Sequence, residues 1–319
     1  GRVVMSLIDA LEPLSCCPHI VVVIGKGGVG KTTVSILIAM ELSRIGKTLL
    51  LSLDPAKHLA KYLGLSGEDF KEVNNHLHVR QVSIEKEVRR LTSKYAELLQ
   101  EILPSLAVLN LDNIVNAIKY TPGVEEEVLL SKISEALRSE YNYVVIDTPP
   151  TGVTLRTLAL PKLYLTWLSK LIEIRERIVS LRYVIARTLG KSVDVRDKAL
   201  LKLYDMREEF KLLDSVLCSD ARASYVLVAT PEPLPMYELK ETYEFLKSNL
   251  GVKPRLLVLN KVLPDSIAFE LGQQEMQKDF LKELGSFGIS YAVIEHLRKP
   301  TENMSDIEAL KTKIKVFKQ

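Results

Sequence analysis

Six short apolar runs recur along the chain, at Ile20–Ile24, Thr48–Leu53, Tyr143–Ile146, Tyr225–Ala229, Leu256–Leu259 and Ser290–Ile294. Each is continuous rather than alternating, which is how strands buried on both faces of a parallel sheet read. Helical spacing separates most of them, so the pattern predicts a βα alternation. The alternation stops in two stretches, Ile84–Leu137 and Leu155–Leu217, where one helical pattern follows another with no strand between. These stretches predict a helical subdomain inserted into an α/β domain. The expected division is 18–83, 138–154 and 221–319 for the sheet domain and 84–137 and 155–220 for the helical one.

Three amphipathic helices are legible in the insert. Trp167, Leu171, Ile174, Ile178, Leu181 and Ile185 step by four and three residues, with Lys170, Glu173, Arg177 and Arg182 on the other side. Ile84, Val88, Leu91, Tyr95, Leu98 and Ile102 repeat the spacing, as do Leu203, Met206, Phe210, Leu213 and Leu217. Each stripe either buries itself against its neighbours or contributes to an apolar groove for a hydrophobic partner, and the spacing is compatible with both.

Composition narrows the class. Of 319 residues, 47% are hydrophobic and 26% charged, the balance of an ordinary folded protein. Lys and Arg total 43 against 40 acids, and a net charge of +3 is too small a field to imply a nucleic-acid partner. The three cysteines, Cys16, Cys17 and Cys218, form neither a disulfide framework nor a CxxC metal pair, which points to a cytoplasmic protein. No apolar run approaches the length of a membrane span.

The first strand is followed at once by Gly25-Lys26-Gly27-Gly28-Val29-Gly30-Lys31-Thr32-Thr33 and then by the helical pattern Val34–Ile45. This is GxxxxGKT between a strand and a helix, the setting that makes it a phosphate-binding loop. Gly27, Gly28, Val29 and Gly30 let backbone N–H groups turn inward on a phosphate, and the helix start adds its positive end. Lys31 is expected to reach the β- and γ-phosphates of ATP, the Thr32 hydroxyl to ligate Mg²⁺, and Thr33 to complete the cradle. Two acids end strands on the same side. Asp147, after Tyr143–Ile146, stands where a carboxylate holds the Mg²⁺ shell from one step out, and Asp54, after Thr48–Leu53, stands where one could orient the attacking water.

Lys26 is a second cation in a loop that needs only one. The run KGGVGKTT resembles the deviant Walker A motif of the ParA, MinD, nitrogenase iron protein and ArsA group. In that group, with its P-loop NTPase fold of the SIMIBI type, the extra lysine reaches the partner's nucleotide in a homodimer. Asp54-Pro55-Ala56 through Leu59 and Asp147-Thr148-Pro149-Pro150-Thr151-Gly152 through Pro161 resemble the switch I and switch II segments of the ArsA/GET family. That family comprises arsenical-pump ATPases and ATPases that target tail-anchored membrane proteins. Tyr120-Thr121-Pro122-Gly123-Val124-Glu125-Glu126 is similar to its PGxxE segment, and Ala229–Glu238 and Leu259-Asn260-Lys261 follow in the family's order.

The resemblance implies an ATPase in which Lys26 acts in trans, Thr32 binds Mg²⁺, Asp54 positions the water and Asn260 contacts adenine. It also implies that two helical subdomains join in a groove for a client's transmembrane helix, with a membrane receptor as a further partner. The chain departs from the family in three places. Lys57 stands where the family has His, with His58 one place later; Val153 replaces the switch II His; and 260–288 contains no zinc-binding CxxC. The alternatives are an arsenite-stimulated pump ATPase, against which the scattered cysteines argue, and a MinD/ParA-like membrane-positioning ATPase. For the latter, Ile307–Phe317 with its lysines would be an interfacial helix. Nitrogenase-like reduction is excluded because no cysteines are spaced to ligate a cluster.

Overall fold

The computed structural model describes residues 3–15, 18–65, 69–102, 123–192, 196–297 and 301–318. Cys16, Cys17 and Tyr120–Pro122 lie outside them, as do the side chains of Leu98 and Ile102. The described strands are β1 (Val3–Val4), β2 (His19–Gly25), β3 (Thr48–Ser52), β4 (Phe70–Asn74), β5 (Leu77–Gln81), β6 (Tyr143–Asp147), β7 (Ala223–Ala229), β8 (Leu256–Val262), β9 (Tyr291–Glu295) and β10 (Ile314–Lys318). They form one sheet in the order β1-β10-β9-β8-β7-β2-β6-β3-β5-β4. From β9 to β5 all neighbours are parallel, while β4 closes one edge antiparallel and β10 followed by β1 closes the other.

All six runs read from the sequence lie in the sheet. Because side chains alternate along a strand, each central strand feeds two cores. Ile20, Val22 and Ile24 face one core, shared with the helices Ile84–Ile102, Val124–Leu137, Lys198–Leu217 and Pro233–Phe245. Val21 and Val23 face the other, shared with the helices Leu7–Leu11, Lys31–Leu42, His58–Leu63 and Met304–Leu310. Each fully buried aliphatic side chain contributes on the order of 2 kcal/mol by leaving water, which is why both faces are needed.

Four strands escape the sequence pattern for a physical reason. β4, β5 and β10 are short edge or near-edge strands that carry charge between their apolar residues, and β1 is two residues long. The reading of Ile307–Phe317 as an interfacial helix is corrected here. The helix ends at Leu310, and Ile314–Lys318 pairs antiparallel with β9, placing Val316 in the core and its lysines outward.

Along the helices Ile84–Ile102 and Lys198–Leu217, Val88 and Leu91 are buried, as are Leu213 and Leu217, so those stripes pack inward, into the core shared with the sheet. The Trp167 stripe does not. It lies on a single helix, Thr151–Thr188, whose 38 residues extend about 57 Å at 1.5 Å per residue. Leu168 and Ile172 are its last buried side chains, whereas Trp167 is 57% exposed, Ile174 56% and Leu181 62%. The helix Lys198–Leu217 packs against it. Arg175 donates to both carboxylate oxygens of Asp197 at 2.8 and 3.3 Å, and the Tyr204 hydroxyl donates to Glu176 at 2.6 Å.

A buried histidine clasps the N-terminal segment to β2. His19 Nδ1 accepts from the Ser15 N–H at 3.2 Å, and its Nε2 stands 2.7 Å from Ser224 Oγ, which donates to the Leu11 carbonyl. Burial lowers the His19 pKa from 6.5 to about 4. The unfolded chain therefore takes up a proton near pH 6.5 that the folded chain refuses until about pH 4. Stability should fall as pH drops through that window, by about 3 kcal/mol in all. Urea unfolding followed across this range should show that loss for the wild type and a shallower slope for His19→Gln. Equal slopes would show that the imidazole plays no part.

Candidate nucleotide site

Register brings the site together. On β6, Asp147 pairs across to Val23 of β2 and to Ser52 of β3, so the carboxyl ends of the three central strands are level. Ligands of open parallel sheets bind at such ends. There the loop after β2 turns directly into the helix Lys31–Leu42.

The loop's own geometry follows from its glycines. Gly28 and Gly30 have φ of 86° and 87°, a left-handed backbone that glycine adopts without penalty. No side chain caps the helix that starts at Lys31, so its first-turn amides remain available to an anion. The loop's carbonyls are drawn the other way. Asn260 Nδ2 donates to the Val29 carbonyl at 2.8 Å and Lys261 Nζ to the Gly28 carbonyl at 2.6 Å. Donors on β8 thus engage acceptors that would otherwise repel a phosphate.

Beneath the loop, Asp147 is fully buried. Its Oδ2 accepts from Thr32 Oγ1 at 2.6 Å and from Ser52 Oγ at 2.8 Å. Lys31 donates to the Thr148 carbonyl and stands 3.3 Å from Asp147 Oδ1. That oxygen accepts no hydrogen bond among the described residues. A buried carboxylate oxygen with unused acceptor capacity, beside a threonine hydroxyl, suits a hard divalent cation. Among the described residues no cluster of three or more His, Cys, Asp or Glu forms a metal cage. The donors therefore fit Mg²⁺ held jointly by protein and phosphate, the usual arrangement for that ion.

Asp54 sits on the loop after β3. Its Oδ1 accepts from the Ala56 N–H at 3.3 Å, and His58 Nδ1 is 2.8 Å from its Oδ2. Together these groups line a cleft of about 650 Å³. Lys26, Gly27, Gly28, Gly30, Lys31, Thr32, Thr33, Asp54 and Asn260, all singled out from the sequence, lie on its wall. Val29 is buried below the loop, and Asp147 is reached through Thr32 and Lys31.

The sequence reading missed Tyr62, Glu295, His296, Leu297 and Thr301, which also line the cleft. Its signal was present, because residues 295–297 follow the β9 run at the carboxyl end of a parallel strand. The PGxxE segment is described only from Gly123 onward. Its glutamate, Glu126, accepts from Arg156 Nε of the switch II segment at 2.9 Å, so two separate motifs meet in one ion pair.

Comparison with known proteins agrees with this geometry. Residues 18–315 match the ArsA-type family described as anion-transporting ATPases. A putative arsenical pump-driving ATPase 2 from Aquifex aeolicus is 32% identical over 269 residues, covering 82% of this chain and 87% of the relative. The ATPase GET3 of Malassezia globosa is 28% identical over 75% of this chain and 71% of its own length. An ATPase ASNA1 homolog from Entamoeba dispar is 25% identical over 90% and 89%.

A Cβ at position 30 would collide with the Asn260 side-chain amide, and the backbone there is left-handed. Gly30→Ala should cost roughly 1–3 kcal/mol of stability and lower nucleotide affinity at least about tenfold. Titration with a fluorescent ATP analogue checks this, and unchanged affinity would contradict the geometry.

Proposed function

The chain belongs to the ArsA family of anion-transporting ATPases, and from that footing we propose that it is a homodimeric, ATP-driven targeting factor. In this reading it works in the cytoplasm, binding the transmembrane segment of tail-anchored proteins, releasing it in a nucleotide cycle and delivering it to a membrane receptor. The observation that carries the reading is the apolar stripe from Trp167 to Ile185, exposed to solvent on a helix that starts four residues after Asp147. Exposed apolar surface of that extent marks an interaction site. A transmembrane helix gains about 0.8 kcal/mol for each CH₂ it hides, enough for a partly covering surface to hold it. The segments 84–137 and 155–220 are the client-binding part in this reading, and 18–83, 138–154 and 221–319 the nucleotide-binding part.

The chemistry assigned to the cleft is ATP hydrolysis. Backbone amides of Gly27, Gly28, Gly30 and the helix start bind the phosphates, Lys31 neutralises the β- and γ-oxygens, and Thr33 lies beside them. Thr32 and, one step out, Asp147 would hold Mg²⁺, which neutralises charge developing on the phosphates. Asp54 orients the attacking water. Asn260, anchored to the loop, contacts the adenine, and Lys26 reaches the partner protomer's nucleotide, so that turnover reports dimer closure. Among the described residues the Lys26 side chain makes no hydrogen bond or ion pair in its own chain, which leaves it available for that role.

A second reading has support in the names of two relatives, both putative arsenical pump-driving ATPases. Arsenite capture needs converging thiolates. Cys218, the described free cysteine, is alone, and burial pushes its thiol pKa up, away from the reactive form.

The proposal is tested at the client surface and in the cleft. Co-expression with a tail-anchored client should keep the client in solution in an ATP-dependent manner, and Ile174→Asp with Leu181→Asp should abolish this while leaving ATP binding intact. Binding of a scrambled polar peptide as strongly as the client would sink the targeting reading, and stimulation of ATPase activity by arsenite would favour the pump. Asp54→Asn should slow hydrolysis by about 10²-fold or more with ATP affinity retained. In dimers mixed from Lys26→Ala and wild-type protomers, turnover should fall at the wild-type protomer's site, which loses its partner's lysine; an intact rate at that site would rule out the trans role.

A further inference from the structure

We propose that His58 is a positioning residue for Asp54, holding its carboxylate so that the oxygen needed by the attacking water stays pointed into the cleft. The inference rests on the reading of Asp54 as the water-positioning acid and goes beyond it by naming what orients that acid.

The backbone of Asp54 is pinned from several sides. Its N–H donates to Ser52 Oγ at 3.3 Å, and its carbonyl accepts from the Lys57 N–H at 3.0 Å and from Gln81 Nε2 at 3.4 Å. The side chain is held less completely. Oδ1 accepts only the Ala56 N–H, at 3.3 Å, and Oδ2 is buried without an aligned hydrogen bond among the described residues. The His58 ring fills that gap, with Nδ1 2.8 Å from Oδ2. That oxygen is closed off from solvent, so the contact with Nδ1 fixes the rotation of the carboxylate and with it the direction of Oδ1.

The backbone is bent to make the contact. Lys57 has φ 54° and ψ 37°, a left-handed conformation that costs a non-glycine residue on the order of 1 kcal/mol. Lys57 and Lys261 are the two non-glycine residues of this kind among the described residues; Lys57 lies in the loop between Asp54 and His58, and Lys261 near the end of β8 on the cleft wall. The turn at Lys57 starts the helix at His58 and brings the imidazole back over the residue four positions earlier.

Competing partners explain why a carboxylate here needs holding. Lys26, Lys31 and Lys261 line the same cleft from the loop and β8, and Glu295 and His296 line it from β9. A carboxylate free to rotate would be drawn to a lysine and away from the water. His58 is 48% exposed, so the pair adds little to global stability. Its consequence belongs to orientation, where a displacement of about 1 Å can cost two orders of magnitude in rate.

The test is steady-state ATP hydrolysis by the full chain, with kcat and KM for ATP resolved. His58→Ala should lower kcat about tenfold or more while KM stays within about twofold, because orientation and not nucleotide binding is lost. His58→Asn places an amide nitrogen where Nδ1 stands and should recover most of the rate, a rescue that a purely structural role would not produce. Wild-type kcat in His58→Ala, or His58→Asn as slow as His58→Ala, overturns the proposal. Asp54→Asn, run in parallel, separates the two levels: if it is slow while His58→Ala is normal, only the role of His58 fails, and if it is fast, the assignment of Asp54 fails and takes this inference with it.

Discussion

A fully buried carboxylate at the end of the central strand is the constraint around which this protein is arranged. Taking Asp147 out of water costs several kcal/mol unless charge and hydrogen bonds compensate. The compensation comes from separate places in the chain: the loop lysine Lys31, the helix threonine Thr32 and the β3 serine Ser52. Each can reach it only if β2, β6 and β3 end level with one another, as their register makes them. The electrostatic requirement of one side chain therefore ties the phosphate loop, the sheet register and the loop bearing Asp54 into one unit. Oδ1, beside Lys31, is the one oxygen of that carboxylate that accepts no hydrogen bond among the described residues.

From the same strand end a single helix runs out of the nucleotide region. Only Thr148, Pro149 and Pro150 separate Asp147 from its first residue, and the helix continues unbroken through Pro161 to Thr188. Its near half is fastened to the helix Val124–Leu137: Arg156 meets Glu126, and the Tyr164 hydroxyl donates to Glu127. Burial pushes the Glu127 carboxyl above the usual range, outweighing the Tyr164 and Tyr95 hydroxyls that donate to it. Its far half packs against the helix Lys198–Leu217 and its cap through Arg175 and Glu176, and its apolar side faces water. One helix thus joins the strand end at Asp147 to exposed hydrophobic surface.

The chemistry was more legible than the shape. A phosphate loop is local: its glycines, lysine and threonine are consecutive, their roles follow from spacing, and the strand before and helix after are predicted by continuous apolar runs. Parallel strands buried on both faces read clearly for the same reason. β4, β5 and β10 did not, because charge between their apolar residues mimics other patterns and only pairing with a neighbour makes them strands. The lining contributed by Glu295, His296 and Leu297 was also missed, since those residues reach the cleft only by the placement of β9 two strands from β7.

Local sequence thus sufficed for the glycine-rich loop after the first long strand, the acids that follow two strand runs and the spacing of three amphipathic helices, because each depends on residues near one another in the chain. Three outcomes needed the folded molecule. The Trp167 stripe turned outward while those at Val88 and Leu213 turned in, since amphipathic spacing says nothing about which neighbour is available to cover it. Glu126 found Arg156 across 30 residues, and His58 found Asp54 through a left-handed turn at Lys57. Such meetings depend on how elements pack and how the backbone bends, and a pattern of residue types does not encode distance.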